Sequence, residues 1–270
     1  MRDLTRFAAL LLLPLAAACA PAQDAAAPGP QVAPPAAAAA HAGATIELEG
    51  PSGKGSGYLA LPKDPAGKHA ALLVIQEWWG LNDWIKENAD RFAAQGYVVL
   101  AVDLYRGKAT SDPGVAHELM RGLPEDRAMA DLKAGFGYLA ARPDVDPTRV
   151  GSVGWCMGGG YSLALAAHEP RLRAAVVNYG RLITAKDTLA GIHASVLGNF
   201  AGEDQGIPPA DVLEFEKAMK GAGKEVEIKI HEGKGHGFMN PNNKKGYDEP
   251  AARDAWARID SFFAKTLKNP

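Results

Sequence analysis

Gly154-Trp155-Cys156-Met157-Gly158-Gly159 is the stretch on which the fold turns. It follows the apolar run Val150-Gly151-Ser152-Val153 and leads into Tyr161-Ser162-Leu163-Ala164-Leu165-Ala166-Ala167-His168, which reads as helix. Strand, sharp turn and helix together form a nucleophile elbow. Glycines on both sides let the backbone tighten until the central side chain stands at the helix head. The usual occupant is serine; here it is Cys156. In a chain with 30 glycines such a pentapeptide is weak evidence by itself, because a buried structural cysteine in the same turn would read alike.

Two later stretches strengthen it. An elbow of this kind is followed along the chain first by its acid and then by its base. Ala201-Gly202-Glu203-Asp204 comes after the apolar run 194–200, and Gly235-His236-Gly237-Phe238 after the alternating Val226-Glu227-Ile228-Lys229-Ile230. Each sets a polar side chain in a glycine-containing loop just past a strand, the edge at which open α/β sheets build their sites. An ordinary thiol with a pKa near 8.5 is only a few per cent thiolate at neutral pH, so Cys156 needs a base. His236 is the candidate base and Asp204 the candidate carboxylate that orients it, with Glu203 a chemically adequate rival. His41 falls in a linker. His69, His117, His168, His193 and His231 lack such a loop and read as surface or packing residues. One oxyanion donor is the backbone N–H of Met157, and the second is expected from the loop after the strand 71–75.

The surrounding pattern alternates. Residues 45–49 and 57–61 read as a hairpin, 71–75 and 98–102 as buried strands, and 84–95 and 126–141 as helices. Strands at 174–177, 194–200 and 226–230 and helices at 209–220 and 250–266 complete an α/β chain with a mostly parallel sheet and helices on both faces.

The chain has 270 residues, 47% of them hydrophobic, with a net charge of -2. Charge of both signs is mixed along it, so nucleic acid is not an expected partner. No cysteine and histidine spacing suits a metal, no phosphate loop is present, and no cofactor is expected. Residues 1–19 read as an export signal: Arg2 and Arg6, an apolar stretch at 7–15, then Ala16-Ala17-Ala18. The apolar stretch is shorter than the ~20 residues that cross a bilayer. Cys19 sits where a bacterial lipoprotein signal carries its lipidated cysteine, although Leu15 stands one place farther away than usual. Membrane attachment through lipidated Cys19 and a plain secretory cut near Ala22 both stay open, and either sends the protein to the bacterial periplasm or envelope. Residues 20–43, almost wholly Ala, Pro and Gly, read as a tether. Residues 44–270 suit one α/β domain, taken as a monomer. Cys156 is the only cysteine in that domain, so no internal disulfide is possible, and an idle exposed thiol in an oxidising compartment would be a liability.

Five blocks, Gln76-Glu77-Trp78-Trp79-Gly80, Asp103-Leu104-Tyr105, Gly154-Trp155-Cys156-Met157-Gly158-Gly159, Gly202-Glu203-Asp204 and Gly235-His236-Gly237-Phe238, together resemble the dienelactone hydrolase family of α/β-hydrolases, in its order and roughly its spacing. The resemblance runs from about residue 45 to 267. It implies the α/β-hydrolase fold, lactone or small-ester hydrolysis through Cys156, His236 and Asp204, and a small-molecule ester or lactone as partner. It also implies Trp78 N–H as the second oxyanion donor and Glu77 as a carboxylate that contacts the thiol when substrate arrives. Trp78, Trp79 and Tyr105 could line an apolar substrate pocket, and core packing explains aromatics equally well. Family members hold a substrate carboxylate with two arginines. Here Arg106 stands one place early, Gly107 occupies the expected position, and Asn240 stands where the second arginine would be. Arg106 remains a substrate-binding candidate, and action on dienelactone itself is in doubt. Two other readings use the same scaffold: a non-catalytic envelope binding protein, and an acyltransferase.

Overall fold

The structure, a computed structural model, describes residues 41–268. The export signal, Cys19 and the tether up to residue 40 lie outside the described residues. Eight strands form one sheet in the order β1-β2-β4-β3-β5-β6-β7-β8. Strands β1 (Ala44–Gly50) and β2 (Gly53–Ala60) make the expected antiparallel hairpin, with Gly53 at φ 87° in its turn. β2 also pairs antiparallel with β4 (Val98–Val102). From there β4, β3 (His69–Ile75), β5 (Val145–Trp155), β6 (Ala174–Asn178), β7 (Ser195–Ala201) and β8 (Val226–His231) run parallel.

The central strands are apolar along their whole length because helices cover both faces. Leu73 and Ile75 pack on one side with Leu132 and Phe136 of α3 (Glu125–Ala141) and Leu163 of α4 (Met157–His168). Leu72 and Val74 pack on the other with Ile85 and Phe92 of α1 (Asp83–Ala94) and Ile259 and Phe263 of α7 (Glu249–Phe263). A π-helical turn, Ala264–Lys268, extends α7 to nearly the expected end. α6 (Pro209–Gly221) falls where its pattern places it.

Two helices are additions to the expected set: α2 (Pro113–Arg121) and the short α5 (Lys186–Ala190). α2 carries a start signal. Asp112 caps it, accepting from Val115 N–H at 2.9 Å, and Pro113 stands in its first turn. The helix after the elbow also begins four residues earlier than its apolar pattern, because Met157, Gly158, Gly159 and Gly160 are already helical. These glycines are there for contact and not for flexibility. A Cβ on Gly158 would run into the carbonyl oxygens of Ile75 and Gln76, and one on Gly154 into the carbonyl of Gly158. Only bare backbone lets α4 sit this tightly against the ends of β3 and β5.

Candidate active site

Cys156 adopts φ 55°, ψ -119°, a conformation L-residues rarely hold, and it is half-buried. The turn is held on both sides. Cys156 N–H donates to Asn178 O at 3.0 Å, and Gly160 N–H donates to Cys156 O at 3.3 Å. Asn178 is itself locked: its side-chain Nδ2 donates to Gly154 O at 3.1 Å, and its Oδ1 accepts from Asn199 Nδ2 at 2.9 Å. These fully buried amides join the ends of β5, β6 and β7 beneath the sulfur.

The loops after β7 and β8 bring Asp204 and His236 together. His236 Nδ1 and Asp204 Oδ2 are 2.6 Å apart, with Asp204 4% exposed. The other Asp204 oxygen accepts from the N–H groups of Gly206 at 2.9 Å and Ile207 at 3.2 Å, so the carboxylate cannot rotate away. Burial pushes the Asp204 carboxyl up, but the bond and charge of His236 and these two amides outweigh it, and the net shift is downward. Glu203, the rival acid, is exposed, and the carboxylate bonded to His236 is that of Asp204.

The Cys156 sulfur lies near enough to the imidazole to act on its charge, outside ordinary hydrogen-bond geometry. Burial alone would lower the imidazole's pKa. The Asp204 carboxylate and the Cys156 sulfur overcome that and raise it to about 10. The His236 side chain is still 41% exposed, so the pair is open to an incoming molecule. Met157 is the first residue of α4, and its N–H has no partner within the helix. Trp78 N–H makes no backbone hydrogen bond among the described residues, and its loop packs on the first turn of α4.

Glu77 is buried beside this group at 4% exposure, and its Oε2 accepts from Asn240 Nδ2 at 2.6 Å. Burial drives its carboxyl up to about 7, against the lowering effects of Asn240, His236 and Tyr179. The bonded partner of Glu77 is thus Asn240, where the resemblance implies contact with the thiol.

Tyr105 places its hydroxyl 3.4 Å from Met157 Sδ, close enough to Cys156 to feel its charge. Trp78 and Trp79 pack edge to face, with ring centres 4.8 Å apart and both half-buried. Arg106 is placed otherwise than expected. Its guanidinium grips both oxygens of Asp131 on α3, at 2.7 and 2.9 Å, and reaches Ser52 Oγ at 3.2 Å. Asp131 is buried and needs a counter-charge, so this arginine is spent inside the fold, against the β1–β2 hairpin.

Tyr179 carried no signal in the motif reading, and the partner of Asn240 carried none. Tyr179, at the end of β6, is fully buried with φ 38° and sits edge to face with His236 at 5.1 Å. Its hydroxyl lies near Glu77 but outside ordinary hydrogen-bond geometry. Asn240 lies four residues past His236, where nothing short of the fold shows that it reaches back to Glu77.

Comparison with known proteins gives the family of the chain. Residues 56–267 match the dienelactone hydrolase family. A protein named "Putative carboxymethylenebutenolidase" from Methylorubrum extorquens is 31% identical over 220 residues, which span 76% of this chain and 75% of that one. "Protein usf" of Aquifex pyrophilus is 33% identical over 232 residues, spanning 83% and 99% of the two chains. The crystal structure of a "Putative Dienelactone Hydrolase" from Klebsiella pneumoniae superposes with a TM-score of 0.73 at 30% identity, covering 83% of this chain and 99% of that one. An acylaminoacyl peptidase, at 18% identity and a TM-score of 0.66, shares the fold alone. The chain belongs to the dienelactone hydrolase family of α/β-hydrolases, and it is a hydrolase of the carboxylic ester and lactone class.

Proposed function

We propose that the domain cleaves small, uncharged carboxylic esters or lactones through Cys156, His236 and Asp204. The observation that carries this reading is the His236–Asp204 pair at 2.6 Å, with its free edge on a cysteine at an elbow turn. The thiol proton passes to His236, whose basicity Asp204 and the sulfur raise, and the resulting thiolate attacks the carbonyl carbon. The oxyanion that forms is met by the N–H groups of Met157 and Trp78. As it collapses, the C–O bond breaks and the leaving alkoxide takes the proton from His236, leaving a thioester on Cys156. Water then gives a proton to His236 and attacks the thioester carbon. The thiolate leaves and is reprotonated, and the acid departs. In a lactone the released hydroxyl stays on the acyl group throughout, and the product departs as a hydroxy acid.

The preference for uncharged substrates rests on charge accounting. Gly107 and Asn240 stand where carboxylate-holding arginines are expected, and Arg106 is neutralised by Asp131. The aromatic surface of Trp78, Trp79 and Tyr105 suits an apolar group. We expect p-nitrophenyl acetate and a small neutral lactone to be turned over with kcat/KM at least about tenfold above a carboxylate-bearing ester such as p-nitrophenyl hemisuccinate. That ratio corresponds to about one missing charge-assisted hydrogen bond. Absence of turnover across the panel would overturn the reading, and equal rates would overturn the charge preference. Acyl transfer to another acceptor uses the same residues, and product analysis with competing alcohols and amines separates it from hydrolysis.

We further place the enzyme in the bacterial envelope on the export-signal pattern of residues 1–19 alone. The mass of the mature N-terminus distinguishes a lipidated Cys19 from a cut near Ala22.

A further inference from the structure

Asn240 and Glu77 form a hydrogen bond between two side chains that are 3% and 4% exposed, linking the loop after β8 to the loop after β3. No ion pair is made by Glu77 among the described residues, so the carboxyl is held inside the protein by a neutral donor. Buried carboxylates are ordinarily paired or bonded to several donors, and one amide is thin compensation. The groups facing the carboxyl are His236 from the same loop as Asn240 and Tyr179 from the end of β6, and Cys156 in turn acts on both Tyr179 and His236. Asn240 is itself built in. Its N–H donates to Gly237 O at 3.1 Å and its Oδ1 accepts from Asn242 N–H at 2.9 Å, which fixes which end of the amide faces Glu77.

We propose that Asn240 is the positioning residue for Glu77, holding its carboxyl beside His236 and Tyr179 with a neutral bond so that solution pH, and not a bound anion, governs its charge. A carboxyl that burial pushes up to about 7 changes charge near neutral pH. As an anion it favours a cationic His236 and disfavours charge on the sulfur; as an acid it does neither. The reactivity of Cys156 should therefore bend near neutrality as Glu77 changes charge. This inference rests on the pairing of Cys156 with His236 proposed above.

The test is the rate of Cys156 alkylation by iodoacetamide against pH, which needs no turnover, in wild type, Glu77→Gln and Asn240→Asp. Wild type should show an inflection near pH 7, and Glu77→Gln should lack it. Asn240→Asp keeps the oxygen that caps Asn242 but replaces the donor with an acid that must share a proton with Glu77. It should move the inflection up by one pH unit or more. A purely structural Asn240 would lower thermal stability and leave the profile in place, and that outcome overturns the proposal, as does an inflection that survives Glu77→Gln. An inert thiol at every pH would instead sink the proposed pairing itself, whereas a reactive thiol with an unmoved profile sinks only the role of Asn240.

Discussion

Cys156→Ala is expected to remove ester and lactone hydrolysis, lowering kcat/KM by at least about 10⁴-fold, in the range seen when an activated nucleophile is deleted. The size follows from the site's construction. His236, Asp204 and the Met157 N–H are all arranged around an attacking sulfur, and without it they can only polarise a bound ester toward unassisted water. The loss should not be structural. Alanine keeps the Cβ at φ 55°, the backbone bonds to Asn178 and from Gly160 remain, and the half-buried Cys156 packs against the core without being enclosed in it. Circular dichroism and the melting temperature should change little while turnover disappears. A variant that retains a tenth or more of wild-type kcat/KM would mean the sulfur is not the nucleophile.

Asp204→Asn is expected to cost about 10³- to 10⁴-fold in kcat/KM, the scale of losing the carboxylate that orients a catalytic histidine. The Gly206 and Ile207 amides both donate to Oδ1, so the asparagine oxygen will stay there and its NH₂ will face His236 Nδ1. A donor at that position forces the ring proton onto the nitrogen that faces Cys156, where it cannot accept from the thiol. The carboxylate is also among the groups that raise the imidazole to about 10, so the variant's histidine should titrate lower. Alkylation of Cys156 below neutral pH should slow in parallel, which steady-state kinetics and iodoacetamide labelling can both follow. An unaltered rate would transfer the orienting role away from Asp204.

How much of this was legible beforehand depended on whether local chemistry or topology sets the position. Cys156, Asp204 and His236 each sit in a loop marked by glycine, directly after a strand, and in a parallel sheet all such loops emerge at one edge. That edge could be read without coordinates. The buried strands were equally plain, because continuous apolar runs have little other use in an α/β chain. α2 was missed since Pro113-Gly114 looks like a turn, although Asp112 before the proline is a cap. Tyr179 has neighbours along the chain that explain nothing. Its meaning comes from β6 lying between β5 and β7, which brings it to the sheet edge that Cys156 and His236 share, and from a positive φ no pattern reveals. Arg106 illustrates the reverse. Its sequence position suggested a substrate ligand, but Asp131, 25 residues on and buried in α3, claims its charge. Asn240 could be placed by counting from His236; its bond to Glu77, across 163 residues, could not.

The most direct test of the mechanism is to mix the enzyme with p-nitrophenyl acetate, quench in acid within the first turnovers, and map the acylated peptide by mass spectrometry. A single acetyl group on Cys156, absent from Cys156→Ala and discharged when wild type is left to turn over, is the predicted result. Release of p-nitrophenol at the full rate with Cys156 never acylated, or with the acetyl group on another residue, would contradict it.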